Sequence, residues 1–285
     1  MDDKESIRTI HAAVDNGTNL IDTAPAYGNG HSEEVVGKAI KGRRDQVILA
    51  TKVGVKKPGG KLKIVLTPES VLEEIDDSLR RLDVELIDLY QIHWPDPKTP
   101  LEDTLEALLK AKEAGKFRYL GVSNFDISLM DQVRSITELA GLQPPFSLLQ
   151  RDIEAEILPY CNEHKIGVLS YGTLSGGILT GKFTEYPEFE EGDKRHKFYP
   201  AFNPKSWDKV QNVVDVLRDI AGERNVPVAQ VAINWATAQP GMTVALTGAK
   251  RPEQAISNAG AGQWNLTNQE LQRIQEAYAA NFPTV

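Results

Sequence analysis

The chain has 285 residues, enough for one large α/β domain or two small ones, and its 41% hydrophobic and 25% charged content excludes disorder over most of its length. Its 32 basic and 40 acidic side chains leave a net charge of -8, the wrong sign for a face that neutralises nucleic-acid phosphates. No apolar run approaches the roughly 20 residues of a membrane-spanning helix, the acidic opening Met1-Asp2-Asp3-Lys4-Glu5 is unlike a signal peptide, and the single Cys161 excludes a disulfide framework or thiolate metal cluster.

The pattern of apolar residues predicts a helix at the start, with Ile7, Ile10 and Val14 on one face and Asp2 or Asp3 as its cap. A strand follows over Leu20 to Ala24. Ser32, with Glu33 and Glu34, then reads as the entry to a second helix, in which His31 is an entry residue. After a strand over Val47 to Lys52 comes the charged run Lys56 to Lys63, read as a loop. Thr67-Pro68-Glu69 opens a third helix whose apolar face is Val71, Leu72, Ile75, Leu79 and Leu82. Further strands are predicted over Leu86 to His93, Tyr119 to Asn124, Phe146 to Gln150 and Ile166 to Tyr171. The irregular stretch Thr184 to Ser206, rich in charge, Pro and Gly, reads as a loop insert of the kind that forms lids. Val210, Val213, Val214, Leu217 and Ile220 mark another apolar helix face, and Thr243 to Ala249 the last strand.

These strands are short apolar runs rather than alternating ones, as in a parallel sheet covered by helices. Strand-helix alternation without a composition shift predicts a single α/β domain over residues 1–285, a (β/α)8 TIM-barrel type of the usual ~250 residues. Seven strands are recognisable where a closed barrel of this kind needs eight.

Barrel enzymes carry their chemistry at the C-terminal ends of strands. Those ends deliver Asp22, then Tyr27 in Asp22-Thr23-Ala24-Pro25-Ala26-Tyr27-Gly28, Lys52 in Ala50-Thr51-Lys52, and His93 in Gln91-Ile92-His93-Trp94. Each has an ordinary alternative: a rim ion pair for Asp22 and Lys52, a packed aromatic for Tyr27, a core histidine for His93. Together they suit one reaction. A phenol, with a pKa of about 10, exchanges protons at neutral pH only where its phenolate is stabilised. A nearby ammonium does that, a carboxylate holds the ammonium, and an imidazole can donate a hydrogen bond to a substrate carbonyl oxygen.

With these residues the sequence resembles the aldo-keto reductases. The resemblance is carried by Asp22-Thr23-Ala24 through Tyr27-Gly28, Ser32-Glu33-Glu34-Val35-Val36-Gly37, Thr51-Lys52, Asp88-Leu89-Tyr90-Gln91-Ile92-His93 and Gly121-Val122-Ser123-Asn124-Phe125, and runs through nearly the whole chain. It implies a catalytic tetrad, with Tyr27 as acid/base, Lys52 and Asp22 tuning it, and His93 orienting the carbonyl. It also implies NADP(H) as cofactor. Ser123, Asn124 and Gln143 match the positions that hold the nicotinamide carboxamide, and Tyr171 the aromatic stacked on its ring. Gly172, Leu174, Ser175, Gly177, Gly181 and Lys182 fall in the segment that resembles the pyrophosphate loop. Gly248, Lys250 and Arg251 resemble the segment for the adenosine 2′-phosphate, Gln254 and Asn258 the positions that read the adenine. Gly248-Ala249, where many relatives carry Lys-Ser, is similar to a subgroup that includes bacterial reductases and channel β-subunits. Trp94 would shape the pocket of a small carbonyl or alcohol substrate, and Lys194-Arg195 offers a cofactor clasp, against a solvated loop.

Relatives place a β-hairpin and a first barrel strand before the helix with which this chain opens. Their absence is expected to leave Leu20 to Ala24 and Thr243 to Ala249 with unpaired edges, through truncation or with the gap filled by homo-oligomerisation. The expectation is a cytoplasmic NADP(H)-dependent reductase of aldehydes and ketones, without metal, membrane or nucleic-acid partner. The alternative is a non-catalytic NADP(H)-binding or regulatory protein on the same fold. Cys161 is expected to be an inert helix thiol.

Overall fold

The structure, a computed structural model, describes residues 2–56 and 61–283. From the N-terminus come α1 (Asp3–Asp15), β1 (Leu20–Asp22), α2 (His31–Ile40), β2 (Ile48–Val53), the two-residue strands β3 (Val55–Lys56) and β4 (Lys63–Ile64), α3 (Pro68–Leu82), β5 (Ile87–Ile92), α4 (Leu101–Glu113), β6 (Phe117–Ser123), α5 (Ile127–Ile136) and β7 (Gly141–Gln143). There follow α6 (Ile157–Glu163), β8 (Gly167–Ser170), α7 (Arg195–Phe198), α8 (Trp207–Arg224), α9 (Val228–Thr237), β9 (Met242–Ala245), α10 (Pro252–Ala259) and α11 (Asn268–Asn281).

The chain divides into two compact units. The first comprises Met1–Pro144, Tyr160–Val168 and Ala249–Ile256. In it β1, β2, β5, β6, β7 and the start of β8 pair in parallel, with Ala50 opposite Leu89, Gln91 opposite Gly121 and Ser123 opposite Gln143. Parallel neighbours need a crossover, and helices supply each one from β1 to β8, save the short β3–β4 excursion after β2. β5 is buried at every residue, and four of its six residues are apolar, with Asp88 and Gln91 the buried polar exceptions. Asp2 caps α1, accepting from the Lys4 N–H, and Thr67 caps α3 with Pro68 in the first turn, as the sequence predicts.

The second unit comprises Pro145–Pro159, Leu169–Gly248 and Ser257–Val285. Here the end of β8 meets β9, the Leu246 N–H donating to the Ser170 carbonyl at 2.9 Å. Val210, Val213, Val214, Leu217 and Ile220 are buried along α8, the face that the sequence marks. Phe146 stacks on Trp235 of α9, and Thr267 closes a capping box with Glu270 at the start of α11. The strand order is β1-β2-β5-β6-β7-β8-β9, seven strands as expected, with β1 and β9 outermost.

Several local expectations are corrected. Phe146 to Gln150 is not a strand: β7 lies earlier, at Gly141–Gln143, because Pro144 and Pro145 have no N–H to continue a ladder. Ser147 instead closes a turn with Gln150. Ser32 does not cap α2, which starts at His31 from Gly30; its hydroxyl lies 2.9 Å from that of Thr23. The charged run 56–63, whose residues 57–60 lie outside the described residues, has ends that pair as the hairpin of β3 and β4. The apolar face that the sequence marks on α1, Ile7, Ile10 and Val14, is half-buried, as is all of β1. The 184–206 insert carries α7 and a single turn at Pro204–Ser206. Cys161 is buried in α6, and burial pushes its thiol up to about 11, as suits an inert thiol.

At the N-terminal ends of β1, β2, β5 and β6 opens a cavity of about 1050 Å³, with Arg44, Ile48, Asp88 and Arg118 in its wall. Asp88 accepts from Arg44 at 2.6 Å and from the Leu49 N–H at 2.9 Å there. The predicted chemistry gathers at the opposite strand ends. Among the described residues no helix is long and apolar enough to cross a membrane, and no group of three or more His, Cys, Asp and Glu could hold a metal ion.

Candidate active site

The four residues expected to form the tetrad all belong to the first unit, and the parallel register brings them together. Leu20 pairs with Ile48 and Ala50 with Leu89, so the strands finish at one level. Asp22 ends β1, Lys52 lies one residue from the end of β2, and His93 follows β5, its N–H donating to the Val53 carbonyl. Lys52 is wholly buried, a costly position for an ammonium unless it is paired. Its Nζ donates to Asp22 Oδ2 at 2.5 Å and to the Thr23 carbonyl at 3.0 Å. The same Nζ stands 5.2 Å from the centroid of the Tyr27 ring. Tyr27 and His93 meet edge to face at 5.9 Å. Tyr27 and Trp94 are 43% and 42% exposed, so a buried charge pair underlies a phenol that substrate can reach.

Two features that support this cluster were missed at the level of sequence. Fully buried Glu33 accepts from the Thr51 hydroxyl at 2.6 Å and from Arg81 Nε at 2.7 Å, bracing the residue next to Lys52. Buried Gln91 donates to Asp22 Oδ1 at 3.2 Å. The period-2 spacing of Gln91 and His93 was the available signal for the second. Nothing local marks the first, because Glu33, Thr51 and Arg81 lie far apart along the chain.

Ser123, Asn124 and Gln143 form one hydrogen-bonded group beside the tetrad. The Ser123 hydroxyl donates to the Gln143 carbonyl at 2.7 Å. Asn124 is left-handed at φ 62°, a conformation that Asn tolerates, and its amide donates to the His93 carbonyl at 3.1 Å and to Ser123 Oγ at 3.0 Å. Gln143 Nε2 donates to Asp22 Oδ1 at 2.8 Å.

Tyr171, Gly172, Leu174, Ser175, Gly177, Gly181 and Lys182 belong to the second unit. Ser175, Gly176 and Gly177 are successively left-handed, with φ of 45°, 64° and 100°, and Gly181 is left-handed at 73°. A Cβ on Gly177 would stand 3.1 Å from Lys182 Nζ, and one on Gly176 would come within 2.7 Å of the Tyr199 ring. A left-handed run whose last two residues are glycines, beside an ammonium, fits an anionic diphosphate. Arg195, the expected clasp, is committed: it binds Asp193 through two nitrogens and donates to the Gly176 carbonyl at 3.4 Å. Those bonds hold the Asp193 carboxyl down at about 2.

Exposed Lys250 and Arg251 stand immediately before α10, whose first residue is Pro252. The Lys250 N–H donates to Gln254 Oε1 at 2.8 Å, so that glutamine closes the first turn of the helix. Asn258 lies one turn further along α10, and Gly248 is exposed, with no described residue beyond its chain neighbours within 4 Å of where a Cβ would stand.

A family model described as "Aldo/keto reductase family" matches residues 1–279. Aldo-keto reductase YhdN of Bacillus subtilis is 44% identical over 276 residues, covering 96% of this chain and 83% of that protein. The structure superposes on the glycerol dehydrogenase AKR11B4 of Gluconobacter oxydans with a TM-score of 0.94 at 40% identity, covering 100% of this chain and 88% of that one. An aldo/keto reductase from Klebsiella pneumoniae, solved with NADP and acetate, gives a TM-score of 0.75 at 30% identity, with 97% and 86% coverage. The NADH-specific methylglyoxal reductase of Escherichia coli is 33% identical over 97% of this chain and 88% of its own. Strand-end chemistry, fold and sequence therefore converge, and the chain belongs to the aldo/keto reductase family of oxidoreductases.

Proposed function

We propose that this protein reduces an aldehyde or ketone with NADPH, and that Tyr27 supplies the proton to the carbonyl oxygen. The observation that carries this reading is the solvent-accessible Tyr27 phenol set over the buried Lys52–Asp22 pair, with His93 at its edge. NADPH, when bound, supplies the hydride. Ser123, Asn124 and Gln143 are assigned to its carboxamide and Tyr171 to the face of its nicotinamide ring. Gly172, Leu174, Ser175, Gly177, Gly181 and Lys182 are assigned to the pyrophosphate. Gly248, Lys250, Arg251, Gln254 and Asn258 are assigned to the adenosine end.

The protein's own residues do the rest. The Lys52 ammonium favours negative charge on the phenol oxygen as its proton leaves. Asp22 holds that ammonium in place and compensates its burial. His93 donates a hydrogen bond to the carbonyl oxygen and fixes it toward Tyr27. Trp94 lies against the substrate.

The test is NADPH oxidation across a panel of aldehydes and ketones. Loss of one positioned general acid costs about 10²–10⁴-fold, so Tyr27→Phe is expected to lower kcat by about 100-fold or more. Equal rates in wild type and Tyr27→Phe would refute the assignment. Tight NADPH binding with no transfer to any carbonyl would favour a non-catalytic, cofactor-binding role.

A further inference from the structure

We propose that Gln91 is a positioning residue, holding the Asp22 carboxylate in the orientation that keeps its other oxygen on Lys52. This rests on the catalytic reading above. Asp22 Oδ2 receives Lys52, and Oδ1 receives two neutral amides, Gln91 Nε2 at 3.2 Å and Gln143 Nε2 at 2.8 Å. The two amides differ in what else they serve. Gln143 is also assigned to the nicotinamide carboxamide, so its amide is shared between that task and Asp22. Gln91 is wholly buried, and its Oε1 accepts from Gln143 Nε2 at 3.4 Å. Whenever Gln143 turns to cofactor, Gln91 is the donor left to keep Asp22 from rotating off Lys52.

The fold makes room for this one side chain. Gln91 lies opposite Gly121 across the β5–β6 pair. A Cβ on Gly121 would come within 2.9 Å of Gln91 Cγ and 3.1 Å of Leu89 Cδ1, so a larger residue on β6 would displace the glutamine. The titratable groups of the cluster are Asp22 from β1, Tyr27 from the loop after it, Lys52 from β2 and His93 after β5. Gln143 from β7, and Gly121 and Ser123 from β6, carry no charge.

Two variants test the inference. Gln91→Met keeps the length and packing and removes the donor. Well-formed hydrogen bonds to charged groups make it worth about tenfold, so kcat is expected to fall by about that much. NADPH affinity, read by fluorescence titration, and the carbonyl KM are expected to stay within about twofold. Gln91→Glu is a conditional rescue. Protonated, its carboxyl can donate to Asp22 Oδ1 in place of the amide. Ionised, it faces a second carboxylate and repels it. Its kcat is therefore expected near the wild-type value at about pH 5 and to fall progressively toward pH 8, a limb absent from wild type and from Gln91→Met.

Crystal structures of wild type and Gln91→Met, both grown with NADPH so that Gln143 is engaged by the cofactor, supply a readout independent of turnover. The variant is expected to show Asp22 rotated away from Lys52. Undiminished kcat in Gln91→Met, a Gln91→Glu profile parallel to wild type, or an Asp22–Lys52 contact unchanged in the variant crystal would each overturn the proposal. A wild type as inactive as Tyr27→Phe would instead refute the catalytic reading, and the crystals would then decide the role of Gln91.

Discussion

Removing the guanidinium of Arg81 should expose how much of the first unit's stability rests on one buried carboxylate. Glu33 has no exposed surface, and its two oxygens are engaged by Arg81 Nε at 2.7 Å and the Thr51 hydroxyl at 2.6 Å. In Arg81→Met the helix loses little intrinsic propensity, since Met and Arg rank alike. What it loses is the charge that compensates Glu33. Deleting one partner of a buried pair costs about 3–5 kcal/mol, because the other charge is left without compensation. Arg81 is slightly exposed and also contacts Asp77 at 3.5 Å, an outer contact that adds little. At about 2–4 °C per kcal/mol for a fold of this size, the melting midpoint should drop by about 6–20 °C. Urea denaturation followed by circular dichroism and by fluorescence measures the loss and reveals whether one transition persists. Glu33→Gln keeps an acceptor for Thr51 and buries no charge, so the double variant Arg81→Met/Glu33→Gln should recover part of the stability that Arg81→Met loses. A loss below about 1 kcal/mol, or strictly additive effects in that cycle, would refute the reasoning.

Three further outcomes are expected. The Tyr90 hydroxyl is buried with no hydrogen-bond partner among the described residues, so Tyr90→Phe should leave urea stability unchanged or raise it by up to about 1 kcal/mol; a loss of 2 kcal/mol would mean that the hydroxyl is satisfied. The Arg224 side chain, with the Thr267 N–H and hydroxyl, holds the Glu270 carboxyl down at about 2 from an ordinary 4.5. Because the folded value is the lower one, this stabilisation is full above about pH 4.5 and is lost as pH falls toward 2. Glu270→Gln should therefore be less stable than wild type at pH 7 and converge with it near pH 2, as thermal melts across that range would show. For the cofactor, one charge-assisted bond of about 1.5–3 kcal/mol corresponds to a preference for NADPH over NADH of about tenfold or more. Dissociation constants for both cofactors in wild type and Lys250→Ala/Arg251→Ala check it; a wild-type preference that survives the double change intact would remove these two residues from the assignment.

Much of the architecture was legible in the sequence because it is set by local chemistry. Short apolar runs with no alternation marked buried parallel strands, and Thr67-Pro68 and Asp2 marked two helix starts where they occur. Motif spacing put Asp22, Lys52 and His93 at successive strand ends because each strand end is a local feature. Other features were decided only by tertiary structure. Phe146 to Gln150 has the composition of a strand but follows two prolines, and the sheet takes Gly141–Gln143 instead because register with β6 and β8 is a long-range choice. The hairpin of β3 and β4 pairs residues whose charges mark a loop, since two-residue strands carry no periodic signal. The partners that brace the site were likewise unreadable. Glu33 finds Arg81 48 positions away, and Asp22 finds Gln91 and Gln143 69 and 121 positions away, contacts that no local pattern encodes. Strand ends and side-chain types are local, so the sequence alone singles out the residues assigned to the chemistry. The tertiary structure decided what holds those residues still, because a buried charge takes its partners from whichever strands and helices the fold packs beside it.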